Sequence, residues 1–126
     1  MISVQAETVR EKKTFASAFA SHRCVVPCSG WYEWREEGEK QKYLFSHDTG
    51  EPLYMAGICY PNAEFTQLVT LTTEPTEKCK AYHGRMPLLI SPFEIDFWLK
   101  TEAVKLEHCS ATLKILISQS MQSKFL

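Results

Sequence analysis

Several features that would assign a protein class at once are missing from this sequence of 126 residues. No apolar run approaches the length of a transmembrane helix, and residues 1–13 lack the apolar core of a signal peptide. These absences predict a protein without a membrane partner. The expected location is the cytoplasm, with association with the nucleoid if the source is a bacterium.

An excess of charge of one sign is also lacking, because the formal net charge is -1. The chain as a whole has no excess of positive charge that would indicate nucleic-acid binding, so any nucleic-acid site must be a local patch or groove. The chain contains no internal repeat, low-complexity segment or linker. Because 44% of its residues are hydrophobic, it has enough apolar material for one core, and we interpret residues 1–126 as a single domain.

The cysteines do not form an even set. The chain has five of them: Cys24, Cys28, Cys59, Cys79 and Cys109. An odd count without an export signal predicts reduced thiols rather than a disulfide framework. The pairs Cys24–Cys28 and Cys79–His83 are each four residues apart, but the first brackets a strand and turn rather than a zinc knuckle. We therefore expect no metal and no cofactor.

The pattern of apolar residues predicts a helix, a meander of short antiparallel strands and a second helix. The first helix covers residues 7–22, with Phe15 and Phe19 on one face. Strands are predicted at "RCVV", "GWYEWRE", "KYLFS", "LYMAGICY" and "EFTQLVTLTT". Further along, "EPTEKCKAY" is a short helix, "HGRMP" a tight loop, "LLI" the start of a buried strand and "ATLKILIS" the last strand.

The second helix is predicted over residues 91–100, "SPFEIDFWLK". Ser91 is a candidate N-cap, Pro92 lies at the first helical position and Glu94 completes a capping box. Its predicted apolar face consists of Phe93, Phe97 and Trp98.

The stretch "CSGWYEWREEG" places Glu33 among three large aromatic residues. Neighbours alternate faces in a strand, so Trp31 and Glu33 are predicted on one face, and Tyr32 and Trp34 on the other. A carboxylate beside an indole either lies at a solvent-exposed rim or is buried because a function requires it there.

Two chemistries are compatible with these residues. Cys28 and His83 could form a nucleophilic thiol pair, although a free cysteine at a strand end is more often a small apolar packing residue. Glu33 and His83 could instead form an acid–base pair, with Arg85 able to hold a phosphate. Each feature also occurs in ordinary structural cores, so the residues alone leave the choice open.

Four motifs, in order and spacing, resemble the SRAP family (SOS response-associated peptidase). They are "RCVVPCSGWYEW", "AGICY", "LTTEPT" and "HGRMPLLI", and the resemblance covers residues 7–118. It implies an α+β fold with a bifurcated, largely antiparallel, barrel-like sheet and flanking helices. It also implies sensing of abasic sites in single-stranded DNA, shielded by a DNA–protein crosslink through an N-terminal cysteine that also releases a leader peptide.

The resemblance assigns roles to five residues of this chain. Glu33 matches the active-site glutamate that orients or deprotonates the attacking amine, and surrounding aromatics would raise its pKa. His83 matches the histidine that helps open the sugar ring. Arg85 matches an arginine close to the DNA backbone, Trp31 would support an unpaired nucleotide by stacking, and Thr73 in "LTTEPT" is a further DNA-binding residue.

The sequence departs from the family pattern at its start. The family's cysteine-containing segment does not precede "MISVQAET", and its asparagine–alanine–arginine–X–glutamate–threonine motif corresponds to residues 3–8. We therefore expect an N-terminally truncated SRAP-like domain that forms no stable crosslink alone. Its expected partners are abasic single-stranded DNA and either a complementing N-terminal chain or a second copy. The alternatives are a degenerate single-stranded DNA-binding fragment and a thiol hydrolase using Cys28 and His83.

Overall fold

The computed structural model describes residues 2–61, 64, 66–102, 106 and 115–119. Eight strands are present in these residues: β1 Ile2–Gln5, β2 Arg23–Cys28, β3 Trp31–Glu37, β4 Glu39–His47, β5 Leu53–Pro61, β6 Thr66–Thr73, β7 Met86–Pro87 and β8 Ile115–Gln119. The other predicted strands are confirmed in kind and approximate position, but the one predicted at "LLI" is wrong. The strand there is Met86–Pro87, inside the segment predicted as a tight loop, and Leu89 makes only an isolated bridge to Met55. The start of "ATLKILIS" and the C-terminal tail lie outside the described residues.

The helices are short and lie between the strands. They are α1 Lys13–Ser21, α2 Glu77–Lys80 and α3 Ile95–Lys100, with 3₁₀ turns at Val9–Glu11 and Pro92–Glu94. The single helix predicted over residues 7–22 is wrong at its start, because Lys12 is extended and separates the 3₁₀ turn from α1. This break allows Val9, which is fully buried, and Phe19 of α1 to reach the same core.

The strands form two sheets. The larger has the order β1-β6-β5-β2, with β7 also paired to β6, and the smaller has the order β3-β4-β8. All pairs are antiparallel except β1 with β6, which run parallel from Ile2↔Val69 to Gln5↔Thr72. The sequence predicted neither β1 nor a parallel pair, because a four-residue strand gives little periodic signal.

The larger sheet is forked. β5 and β6 pair directly only between Gly57–Pro61 and Thr66–Thr70. On the N-terminal side of Gly57 in β5, the two strands separate and residues 86–90 lie between them. Pro87 pairs with Thr72 of β6, and Leu89 pairs with Met55 of β5. The α+β class and the bifurcated sheet are therefore confirmed.

Two hydrophobic clusters fill the interior. In the first, α1 and α3 cover the larger sheet, and the Nε1–H of Trp98 donates a 2.9 Å hydrogen bond to the Cys24 carbonyl. The second joins the two sheets and contains Phe45, Leu53, Cys79, Met86 and Leu89. This second cluster forms the base on which the candidate site is built.

The predicted start of α3 is wrong in its details. The Ser91 side chain makes no capping hydrogen bond, and residues 92–94 form a 3₁₀ turn. A 3₁₀ turn advances by three residues rather than 3.6, so the apolar stripe expected for a continuous α-helix is rotated. Trp98 is buried, whereas 85% of Phe93 and 47% of Phe97 are exposed. No helix of the described residues is long and apolar enough to cross a membrane.

Gly30 lies in the turn between β2 and β3, and its backbone conformation sets the direction in which β3 begins. Its φ is 154°, and a Cβ added there would lie 2.3 Å from the Phe45 carbonyl oxygen of β4. We predict that Gly30→Ala lowers the free energy of unfolding by more than about 2 kcal/mol, because backbone must move.

Gly38→Ala is the matched control in the β3–β4 turn. Its φ is also positive, at 80°, but a Cβ there meets no atom within 4 Å. Gly38→Ala should lower the free energy of unfolding by only about 1 kcal/mol, the usual penalty for an alanine in the left-handed backbone region. Denaturant unfolding measures both, and equal losses would contradict the steric argument.

Candidate active site

The predicted alternation along β3 is confirmed. Trp31, Glu33 and Arg35 are partly buried, whereas Tyr32 and Trp34 are 52% and 43% exposed. β3 pairs along its whole length with β4, which sets Glu33 opposite Tyr43 and Trp31 opposite Phe45. The carboxylate is therefore held at the edge of the second cluster.

His83 is placed by the short helix α2 and the residue that follows it. The side chain of Thr76 caps α2 by accepting a hydrogen bond from the Cys79 N–H at 3.3 Å. Tyr82 then packs edge-on against Tyr43 and Phe45, with ring centroids 4.9 and 5.6 Å apart. Because Tyr82 is anchored in the second cluster, the next side chain, that of His83, emerges beside β3.

The structure brings Glu33 and His83 together. Their closest side-chain atoms, Oε2 of Glu33 and Nε2 of His83, are 3.7 Å apart. The Glu33 side chain is 19% exposed and that of His83 is 50% exposed, so the pair lies at a rim that solvent reaches from one side.

Burial raises the pKa of the Glu33 carboxyl, although the nearby His83 imidazole and the Trp31 indole each lower it. Desolvation is the largest of these effects, so the carboxyl holds its proton to a higher pH than an exposed glutamate does. The Nε1–H of Trp31 is buried and makes no hydrogen bond of normal geometry within the described part of the chain. Its effect on Glu33 is therefore that of a nearby dipole.

The backbone of Arg85 holds the His83 ring in either protonation state. Nδ1 of His83 lies 2.9 Å from the Arg85 carbonyl oxygen and 3.2 Å from the Arg85 N–H. A protonated Nδ1 donates to the carbonyl, and an unprotonated Nδ1 accepts from the N–H. In both states Nε2 faces Glu33 at 3.7 Å, which is longer than a hydrogen bond, so a proton passes between them only when a bridging group or a small side-chain shift closes the gap.

The side chain of Arg85 is engaged by a carboxylate that the sequence analysis had not singled out. Nη1 and Nη2 donate to the two carboxylate oxygens of Glu7 at 2.7 and 2.8 Å, and Nη2 also donates to the Thr72 carbonyl at 2.9 Å. This ion pair lowers the pKa of Glu7 and raises that of Arg85. Any phosphate that Arg85 contacts must compete with Glu7.

The remaining predicted residues occupy different surroundings. Trp31 stacks on Phe45, with ring centroids 5.0 Å apart and planes inclined by 20°, so one face of its ring is already covered. Thr73 is half-buried at the end of β6, paired with Met86. Cys28 is half-buried against the second cluster, and burial raises the pKa of its thiol.

The outer face of β3 carries aromatic rings under lysines. Here we define the outer patch as Tyr32, Trp34, Lys40 and Lys42. Nζ of Lys42 lies 4.1 Å from the centroid of the Tyr32 ring, and Nζ of Lys40 lies 5.5 Å from that of Trp34. This patch was not predicted from the sequence, because the lysines belong to β4 and only the pairing register of β3 with β4 brings them over the rings.

A metal centre has no counterpart in the structure as described. Across residues 2–61, 64, 66–102, 106 and 115–119, no three His, Cys, Asp or Glu side chains are grouped to hold an ion.

Comparison with solved structures defines the class of fold. A protein from Bacteroides thetaiotaomicron superposes with a TM-score of 0.75 and 25% identity, covering 93% of this chain and 57% of the other. A protein from Bordetella bronchiseptica gives a TM-score of 0.79 at 21% identity, covering 95% of this chain and 65% of the other. The second likeness shows the fold alone.

The chain belongs to the family described as SOS response associated peptidase (SRAP), which it matches over residues 1–124. It is 29% identical over 132 residues to the abasic site processing protein YoaM of Bacillus subtilis, covering 90% of this chain and 53% of that protein. With YedK of Escherichia coli, also an abasic site processing protein, it shares 26% identity, covering 81% of this chain and 48% of the relative. The chain thus spans about half the length of these curated relatives.

We predict that Glu33→Gln stabilises the protein near neutral pH. Because the pKa of Glu33 is raised by folding, the unfolded chain loses this proton first as the pH rises, and the parent protein loses stability. Gln cannot ionise, so the variant avoids this loss. Thermal unfolding of the two proteins should coincide near pH 4 and diverge towards pH 7; divergence in the opposite direction would contradict the assignment.

We predict the opposite dependence on pH for Glu7→Gln. The pKa of Glu7 is lowered by Arg85, so its stabilisation is present above about pH 4.5 and disappears in acid as the carboxylate is protonated. The variant should lose at most about 1 kcal/mol at pH 7, since the pair is partly exposed. Glu11→Gln changes an exposed residue of the same segment and is the control. A loss of unfolding free energy as large as that of Glu7→Gln would contradict the assignment.

Proposed function

We propose that this chain forms the acid–base part of a protein that processes abasic sites in single-stranded DNA. The observation that carries the proposal is the 3.7 Å approach of Glu33 to His83 at a solvent-accessible rim. The similarity to YoaM and YedK, both named as abasic site processing proteins, supports the choice of substrate.

The proposed chemistry requires a group that gives and takes protons in turn. An abasic sugar must open to its aldehyde, an amine must attack that aldehyde, and the resulting carbinolamine must lose water to give an imine. Each step moves a proton between neighbouring oxygen or nitrogen atoms. Glu33, whose pKa is raised by burial, and His83, whose ring is held in either state, suit that transfer.

The nucleophile is proposed to come from an N-terminal cysteine of a complementing segment or chain. A stable thiazolidine forms when the thiol adds to the imine carbon, which requires a primary amine and a thiol on adjacent carbons. The nitrogens of all five cysteines, Cys24, Cys28, Cys59, Cys79 and Cys109, are acylated by the preceding residue, so these residues cannot close the ring.

Single-stranded DNA is proposed to lie along the outer patch. Tyr32 and Trp34 point to the opposite face of β3 from Glu33, so the outer patch would hold a part of the strand farther from the lesion, while the abasic sugar reaches the carboxylate at the rim. Lys40 and Lys42 would contact phosphates. With a formal net charge of -1 and few cationic contacts, we expect binding to be weak and sensitive to salt.

The thiol-hydrolase alternative has less support from the geometry. A nucleophilic cysteine needs a lowered pKa, whereas burial raises the pKa of Cys28. The degenerate DNA-binding alternative shares the outer patch with our proposal and differs in lacking acid–base activity.

The test measures adduct formation in the presence of an added nucleophile. The protein is mixed with a labelled abasic oligonucleotide and a peptide that opens with cysteine–glycine–arginine, and the stable adduct is followed by denaturing electrophoresis. We predict that the protein accelerates the reaction, and that Glu33→Gln and His83→Gln each slow it by about 100-fold.

Matched controls separate chemistry from folding. Glu39→Gln and His22→Gln make the same chemical changes at exposed positions and should leave the rate unchanged. No acceleration, with DNA binding retained, would favour the degenerate DNA-binding alternative. Ester hydrolysis abolished by Cys28→Ala would favour the thiol hydrolase.

A further inference from the structure

A cavity of about 190 Å³ lies at the start of β5, and none of the residues lining it belongs to the candidate active site. Its base is formed by Leu53 and Ile90, which are almost fully buried. Pro52 and Pro92 form apolar walls. A cavity of about 150 Å³ in another protein holds benzene, so this one has room for a single six-membered ring with small substituents.

The walls of the cavity are held together by the fork of the larger sheet. The Ile90 N–H donates to the Tyr54 carbonyl at 2.8 Å, which ties residues 86–90 to β5 beside the cavity. The two prolines have fixed φ angles. The cavity is therefore formed before any ligand binds, and binding costs little ordering of the backbone.

His47 presents an N–H donor at the rim of the cavity. On the other side of the ring, Nδ1 lies 2.7 Å from the Thr49 hydroxyl, 3.2 Å from the Thr49 N–H and 3.3 Å from a carboxylate oxygen of Asp48. In the neutral tautomer with the proton on Nε2, Nδ1 accepts from the Thr49 N–H and hydroxyl; in the other tautomer, Nδ1 donates to the Thr49 hydroxyl or to Asp48. A ligand acceptor at the rim requires the first tautomer or the charged ring, and Nε2 is a donor in both.

Glu51 presents an acceptor beside that donor. Its Oε2 lies 3.9 Å from Nε2 of His47, too far for a hydrogen bond of normal length. The His47 side chain is 16% exposed and that of Glu51 is 70% exposed, so the donor is at the inner edge and the acceptor at the outer edge. A ring with an acceptor atom next to an N–H donor can satisfy both groups.

We propose that this cavity is a binding site for a single-ring nitrogen heterocycle of the pyrimidine type. The ring lies between the prolines and on Leu53 and Ile90. Its acceptor receives the Nε2–H of His47, and its N–H donates to Glu51. The same ring chemistry occurs in a free base or nucleoside and in a base that is part of a DNA strand.

The experiment is a titration of the isotopically labelled protein with uracil, followed by amide chemical shifts. We expect shifts at His47, Glu51 and Ile90, with a dissociation constant of about 1 mM, as is usual for so small a ligand. 1,3-Dimethyluracil keeps the ring but lacks the N–H donor. It should bind about tenfold more weakly, the effect of losing one hydrogen bond.

Variants test the two rim groups. His47→Phe keeps a ring but removes the donor, and Glu51→Ala removes an exposed acceptor; each should weaken uracil binding about tenfold. Glu39→Ala, which removes an exposed carboxylate at the far end of β4 that neither lines the cavity nor contacts His47, should leave binding unchanged. The proposal is wrong if uracil at about ten times the expected dissociation constant shifts none of these amides, if dimethyluracil binds equally well, or if Glu39→Ala is as harmful as Glu51→Ala.

A second titration separates the two sources of the ring. Uridine and a short thymidine oligonucleotide are compared at equal base concentration. Shifts of the cavity amides by both would assign the site to a base within a strand, and shifts by uridine alone would assign it to a free heterocycle. Because none of the readouts involves an abasic site, a failure here leaves the acid–base proposal intact, and the reverse also holds.

Discussion

Residues 86–90 are inserted between β5 and β6, and this insertion positions both the candidate active site and the cavity. Once the two strands separate beyond Gly57, their backbone groups must find other partners, and the inserted segment supplies them. The loop just before it carries His83 and Arg85, so the fork determines where both side chains emerge. At its other end, Ile90 forms the base of the cavity near His47. The acid–base pair and the cavity are thus at opposite ends of one inserted segment.

The environment of Glu33 shows a conflict between stability and chemistry. A carboxylate on the inner face of β3 loses hydration, and a nonionic side chain of the same shape would suit the second cluster better. The nearby imidazole compensates only in part, because half of it faces solvent. Such a conflict is typical of residues retained for proton transfer, and it is the physical reason why we assign the chemistry to this pair rather than to the buried thiols.

Much of the local structure follows from the sequence. The period-two pattern of β3 predicted which side chains face inward, and the turn residues predicted most strand boundaries. The predictions that required an uninterrupted helix were wrong. The helix expected over residues 7–22 is broken at Lys12, and the capping box expected at Ser91 does not form. In both places burial of a few side chains, Val9 and Trp98 among them, outweighs local preference.

Residue identity and the alternation of one strand were enough to predict the family and the inward position of Glu33, and to propose roles for Glu33 and His83. Which distant groups meet depends on the packing of the whole chain. Glu7 pairs with Arg85 across 78 positions of sequence, and the lysines of β4 come to lie over the rings of β3. Such contacts depend on strand register and on the fork of the sheet, which are set by the packing of the whole core and leave no local pattern in the chain.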